Sequence, residues 1–131
     1  MRDTYVYPAV FVKVEEEYQV YFPDLDGCVS AGDSLEEAVL NARGALSLHL
    51  FGMEQDGDEI PEPTNPKIIP LDEDEVAVML DVYMPTYREK MLNKSINKTL
   101  TLPKWLNDEA ERHGVNFSQT LQQALKEKLT L

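Results

Sequence analysis

Residues 96–129 read INKTLTLPKWLNDEAERHGVNFSQTLQQALKEKL, and this stretch decides what kind of protein the chain makes. Leu100 and Leu102 point one way while Asn97, Thr99 and Thr101 point the other, the period-two signature of a half-buried strand. Pro103 stands where a helix should begin, suited by its fixed φ and missing donor. Leu106, Ala110 and His113 line one face of that helix, and Gly114 ends it. Ser118 is the expected N-cap of a last helix whose inner face is Leu121, Ala124, Leu125 and Leu129, with Val115 and Phe117 plugging the turn. One strand backed by two helices leaves both strand edges bare. Pairing with the same strand of a second copy removes that defect and builds a two-stranded ribbon over four helices. Such a ribbon fits the DNA major groove, which makes Asn97, Thr99 and Thr101 of each copy the candidate base contacts.

The net charge of −12 on 131 residues argues, taken whole, against a nucleic-acid partner. Its distribution points the other way. Residues 1–86 hold four basic against nineteen acidic side chains, a balance of −15, whereas residues 87–131 hold eight against five, a balance of +3. Arg88, Lys90, Lys94, Lys98 and Lys104 lead up to and through the expected strand with only Glu89 opposing them. Two opposite electrostatic characters imply two partners. Lys94, Lys98 and Lys104, with the amides near Ser118, are the candidate phosphate contacts.

Upstream, TYVYPAVFVKVEEEYQVYFPDL reads as two strands joined at the acidic turn Glu15–Glu17. Val6, Val10, Val12 and Val14 share one parity, and Tyr18, Val20 and Phe22 share another across the turn. Pro8 lacks the amide of a central strand, so the first strand should run along an edge near that point. CVSAG supplies a short third strand, and Ser34 with Glu37 makes a capping box that opens a helix. Leu35, Val39, Ala42, Leu46, Leu50 and Met53 form its apolar stripe. A proline-rich connection follows, then a fourth strand with Val76, Val78, Leu80 and Val82 on one face. The order β-β-β-α-β predicts an α+β unit, a small antiparallel sheet with one packed helix and a partial ribonuclease-H-like arrangement. The expected organisation is an α+β domain over 1–84, a basic hinge over 85–95, and a strand-helix-helix dimerisation module over 96–131.

Other chemistry reads weakly. Cys28 is the lone cysteine, which excludes an intramolecular disulfide and a cysteine-based zinc cluster and fits a reducing, cytoplasmic setting; as a residue it reads as a small core hydrophobe. No apolar run approaches the roughly 20 residues needed to span a bilayer, and no secretory leader is recognisable, so no membrane partner is expected. Asp24 and Asp26, with Asp81, could gather Mg²⁺ in a nuclease, but Pro-Asp and Asp-Gly are also ordinary turn chemistry. His49 has no visible orienting partner, and His113 suits the negative end of a helix dipole. Asp56–Glu59 lacks the spacing of a calcium loop, and Trp105 is expected to pack on the strand or a dimer neighbour. The expectation is a non-enzymatic protein without cofactor. A metal-dependent nuclease and a ligand-sensing repressor are the alternatives.

KTLTLPKWLNDEAERHGVNFSQTL resembles the ribbon-helix-helix repressors, the group that includes Arc and MetJ, in which alternate polar strand residues contact bases and the start of the second helix contacts a phosphate. The match departs at Lys98, where an apolar residue is usual. VYFPDLDGCVSAGDSLEEAVLNARGAL is similar to the N-terminal domain of HicB antitoxins through Phe22, Pro23, Asp24, Gly27, Cys28, Gly32, Glu36, Glu37 and Ala38. The two resemblances together imply a HicA-type toxin partner, a small basic RNA-cleaving protein bound by the N-terminal domain. They also imply repression of the operon that encodes the pair, through a homodimer on operator DNA that could pair again as a dimer of dimers. Phe22, Asp24, Asp26, Asp33, Glu36 and Glu37 are then the candidate toxin contacts.

Overall fold

In a computed structural model that describes residues 1–93 and 95–131, the chain divides into two compact units, Met1–Lys94 and Ser95–Leu131. The first unit runs β1 (Thr4–Val14), β2 (Glu17–Tyr21), β3 (Val29–Gly32), α1 (Leu35–Asp56), a 3₁₀ turn (Pro66–Ile68), β4 (Glu75–Tyr83) and α2 (Met84–Met91). Its strands form an antiparallel sheet in the order β3-β2-β1-β4. The expected α+β order is present, with α2 as an additional helix inside the span expected to be a hinge.

The acidic turn is tight: Val14 pairs with Glu17, and Glu15 takes φ 59°. β1 is central rather than an edge strand, yet Pro8 sits where only β4 flanks it, because β2 pairs no further back than Val10. A residue without an N–H is tolerated there. The core parity of β1 is Tyr5, Tyr7, Ala9 and Phe11. On the valine parity, Val10 is buried but Val6 and Val14 are exposed. Across the turn, Val20 and Phe22 enter the core and Tyr18 packs against it, as expected.

Ser34 caps α1, its Oγ accepting from Glu37 N at 3.1 Å. Gly57, at φ 71°, ends the helix while Asp58 N donates to Met53 O at 2.9 Å, the exit expected of a left-handed cap. The buried stripe is Ala38, Ala42, Leu46 and Leu50, with Val39 and Met53 partly buried. Leu35, assigned to that stripe from spacing, is exposed. The helix meets the sheet one turn later, at Gly32. A Cβ on Gly32 would lie 2.4 Å from Ala38 N, so only glycine admits this approach. In β4, Leu80 and Val82 are buried as expected, but Val76 and Val78 on the same face are exposed.

Residues 85–91, expected within a basic hinge, are helical together with Met84. Met84 is fully buried, and Tyr87 meets Phe51 edge-on with ring centroids 6.0 Å apart. Arg88 donates to Glu54 through Nε at 3.0 Å and Nη2 at 2.7 Å, and Tyr5 OH donates to the same carboxylate at 3.3 Å. These bonds tie β1, α1 and α2 together. The charge of Arg88 therefore belongs to the fold rather than to a free basic segment. The bonds from Arg88, the largest influence, outweigh desolvation and hold the Glu54 carboxyl below the usual glutamate range.

In the second unit residues 95–103, expected to carry a strand over 97–102, form neither helix nor strand, since a single chain offers that segment no strand to pair with; α3 (Lys104–Arg112) and α4 (Phe117–Leu129) follow. Pro103 is the N-cap of α3 rather than its first helical residue. His113 closes α3 and Gly114 turns the chain at φ 67°, as expected. Asn116, not Ser118, caps α4, its Oδ1 accepting from Gln119 N at 3.0 Å; Asn116 stands just before the helix, where a side chain can turn back to the free N–H, while Ser118 already lies within the first turn. Among the described residues, no helix is long and apolar enough to cross a membrane.

Glu54 is 2 % exposed and Arg88 15 %, so removing the guanidinium strands a buried carboxylate. Arg88→Ala should lower unfolding free energy by about 3 kcal/mol in urea titrations at neutral pH. A carboxyl with a depressed native pKa stabilises above its unfolded pKa and loses that contribution as pH falls through the native value. The gap between wild type and variant should therefore narrow at acid pH.

Candidate functional site

Two surfaces carry the candidate residues, one on each unit. On the first unit the segment Phe22–Cys28 turns between β2 and β3, held by Phe22 N to Cys28 O, Leu25 N to Phe22 O and Cys28 N to Leu25 O, each 3.1 Å. Phe22 and Leu25 are buried by this turn, so the Phe22 ring cannot meet a partner; that candidate contact is a core residue. Asp24 accepts from Thr64 N at 3.0 Å and from the Thr64 hydroxyl. Its carboxylate fastens the proline-rich connection to the β2–β3 turn. Asp24 thus makes a tertiary bond to a segment forty residues away rather than the local turn contact that Pro-Asp chemistry predicts.

Asp26 is exposed on the rim of a groove of about 720 Å³ between this turn, the second half of α1 and the chain leaving it. Leu48, Gly52 and Met53 contribute apolar surface, while Asp24, Asp26, Asp56, Asp58 and Glu59 surround it with carboxylates. In sequence, Asp56, Asp58 and Glu59 read only as a solvated turn. Their place on either side of the Gly57 cap, in one groove with Asp26, depends on tertiary structure. Asp33, Glu36 and Glu37 are exposed at the opposite end of α1. At about 1.5 Å per residue, the helix separates Glu37 from Leu48 by roughly 16 Å. The six candidate toxin contacts thus divide into a buried ring, a structural carboxylate, one groove residue and an N-terminal acidic trio.

Asp81, the third carboxylate of the nuclease alternative, pairs with Arg43 at 3.1 Å, and Asp24 is held by Thr64. Among the described residues no three His, Cys, Asp or Glu side chains gather as a metal site, which leaves the nuclease reading without a ligand set. Burial alone raises the Cys28 thiol to about 11, in keeping with a core residue.

On the second unit Asn97, Thr99, Thr101 and Lys98 are exposed, as are Leu100 and Leu102. Lys104 is exposed and pairs with Asp108 at 2.8 Å. Ser118 lies in the first turn of α4, where its Oγ accepts from Gln122 Nε2 at 3.1 Å. Lys94, the remaining candidate phosphate contact, lies outside the described residues. Among the described residues of this unit none is buried, and Trp105 and Leu129 are 68 % and 61 % exposed. Segments below about 40 residues seldom hold a core without disulfides, metals or oligomerisation. This unit has no cysteine to staple it, and its apolar side chains stand in solvent in the single chain. Residues 1–94 carry seven basic and twenty acidic side chains, a balance of −13, and residues 95–131 five and four, a balance of +1. The tail is less basic than the sequence division suggested, because Arg88, Lys90 and Lys94, opposed by Glu89, fall in the first unit.

Residues 7–125 match the family model described as HicB_like antitoxin of bacterial toxin-antitoxin system. The chain is 49 % identical over 61 residues to a 14.9 kDa protein from the rep-hol intergenic region of Haemophilus phage HP1. That alignment covers 47 % of this chain and 45 % of the phage protein, so the match spans less than half of that relative. The structure is similar to a chain of a toxin–antitoxin complex from Streptococcus pneumoniae, with a TM-score of 0.61 and 28 % identity over 95 % of this chain and 99 % of that one. It shares its fold with the antitoxin HicB of Burkholderia pseudomallei, with a TM-score of 0.51 and 20 % identity over 95 % and 96 % of the two chains.

The Asp24 anchor has a direct consequence. Asp24→Ala should cost about 1–3 kcal/mol by leaving Thr64 unsatisfied. It should also speed hydrogen exchange at the Thr64 amide while the amides of β1 keep their protection.

Proposed function

The chain belongs to the family of HicB-like antitoxins of bacterial toxin–antitoxin systems, and from that premise we propose that it neutralises a HicA-type RNA-cleaving toxin and represses its own operon. The carrying observation is that the family match runs from β1 into α4 and so takes in both units. The acidic first unit binds the toxin. A protein that grips RNA must present positive charge, and a domain of −13 both steers it in and competes with the RNA. The toxin's active site is occluded by that domain rather than altered chemically. Both events are assigned to the cytoplasm, with no cofactor and no catalytic residue.

The second unit dimerises through residues 97–102, whose paired strands cover the exposed leucines and form a ribbon. Asn97, Thr99 and Thr101 of each copy read base edges in the major groove, while Lys94, Lys98 and Lys104 contact phosphates. The Asn116-capped start of α4, near Ser118, supplies backbone amides and the positive end of the helix dipole to a further phosphate. Affinity for the operator then falls with salt, and sequence preference resides in the ribbon.

In mobility-shift titrations on DNA upstream of its operon, Thr99→Ala with Thr101→Ala should weaken specific binding tenfold or more and leave non-specific binding unchanged. Equal operator affinity for variant and wild type would remove the reading face. For the toxin, Asp26→Lys with Glu37→Lys should lower affinity measured by calorimetry. Asp24 is left intact in that test because its loss would loosen the fold. Wild-type affinity in this variant would exclude both acidic sites.

A further inference from the structure

The sheet of the first unit has two edges of unlike character. β3 is four residues long, and one of its carbonyls, Ala31 O, already accepts from Asn41 Nδ2 at 2.9 Å. β4 is nine residues long and lies at the opposite edge. Its register with β1 is unbroken from Thr4↔Tyr83 to Val12↔Glu75, so no bulge twists it away. Its sequence, EVAVMLDVY, contains no lysine or proline, the residues that ordinarily blunt an edge. Among the described residues, Val76–Val82 make no backbone hydrogen bond outside the strand ladder. Exposed apolar side chains flank the bare backbone on both faces: Val76 (54 %) and Val78 (40 %) on the face of Phe11 and Ala9, Met79 and Tyr83 on the other.

Such an edge is a template for one more strand, and charge selects whose. The acidic run Asp72–Glu75 leads directly into β4, on a unit whose balance is −13. A second copy would bring like charge against like, whereas a basic protein is drawn in. We infer that the open edge of β4 receives a β-strand from the basic partner and extends the sheet to five strands. The inference rests on the toxin reading above and specifies where the toxin docks. Backbone bonds along β4 supply affinity, Val76 and Val78 pack against alternate side chains of the added strand, and the neighbouring carboxylates set its sign.

The test uses the full chain and the HicA-type toxin of the adjoining reading frame, carrying an inactivating substitution. Hydrogen exchange should show amides within residues 75–83 slowed at least tenfold in the complex. Val76→Lys with Val78→Lys should weaken the complex at least tenfold by calorimetry with the melting curve of the free protein retained; Val29→Lys, on the blunted edge, should leave affinity unchanged. A complex of full affinity with residues 75–83 unprotected overturns the docking site and spares the antitoxin reading. Protection of β4 in the free protein that grows with concentration overturns it in favour of a second copy. Absence of any complex with the wild-type chain removes the antitoxin reading and the docking site together.

Discussion

The first unit is organised by one close approach, that of α1 to Gly32. With no Cβ in the way, the backbone at Ala38 settles directly over β3, and the helix is packed more closely on that strand than on any other. The rest follows from where this contact puts a 22-residue rod. Ala42, Leu46 and Leu50 continue over the sheet, and Glu54 arrives within reach of Tyr5 and Arg88. One flank of the helix faces the β2–β3 turn across the acidic groove. Its reach leaves the first half of β4 uncovered, with valines in solvent on a face that is buried farther along the same strand.

The two units solve the problem of stability differently. The first has a core of aromatic and aliphatic side chains and a buried carboxylate, Glu54 on α1, that accepts from β1 and α2. The second has good helix signals, an asparagine cap and a left-handed glycine exit, and yet no interior. Local propensity alone does not hold so short a segment together. The first unit therefore buries its apolar side chains within itself, whereas the second leaves them in solvent.

Much of this is legible in the sequence, for identifiable reasons. The Ser34–Glu37 box, the Glu15 turn and the Gly114 exit depend on neighbours three or four residues away, which sequence spacing reports directly. β1 is harder, because Tyr5, Tyr7, Ala9 and Phe11 are as apolar as the valines between them; which parity faces the helix is decided by the helix. α2 is concealed although Met84, Tyr87, Arg88 and Met91 follow helical spacing. A basic side chain on an inner face reads as solvent-exposed until Glu54 is known to lie beside it. The shift of the α4 cap from Ser118 to Asn116 is a choice between two competent residues that spacing alone does not make. The acidic character of the first unit is plain in the sequence, but its grouping is not: Asp24 is consumed by Thr64, and Asp56, Asp58 and Glu59 join Asp26 only because the end of α1 shares a groove with the β2–β3 turn.

Cys28 sits 3 % exposed beneath the β2–β3 turn, its thiol protonated well above neutral pH. Thiol reagents attack through the thiolate, so this sulfur is chemically silent in the folded protein. The native chain therefore offers a blank background for cysteine-directed spectroscopy. A single engineered thiol on either unit would carry the whole label, and modification of Cys28 itself would serve as a clock for opening of the sheet.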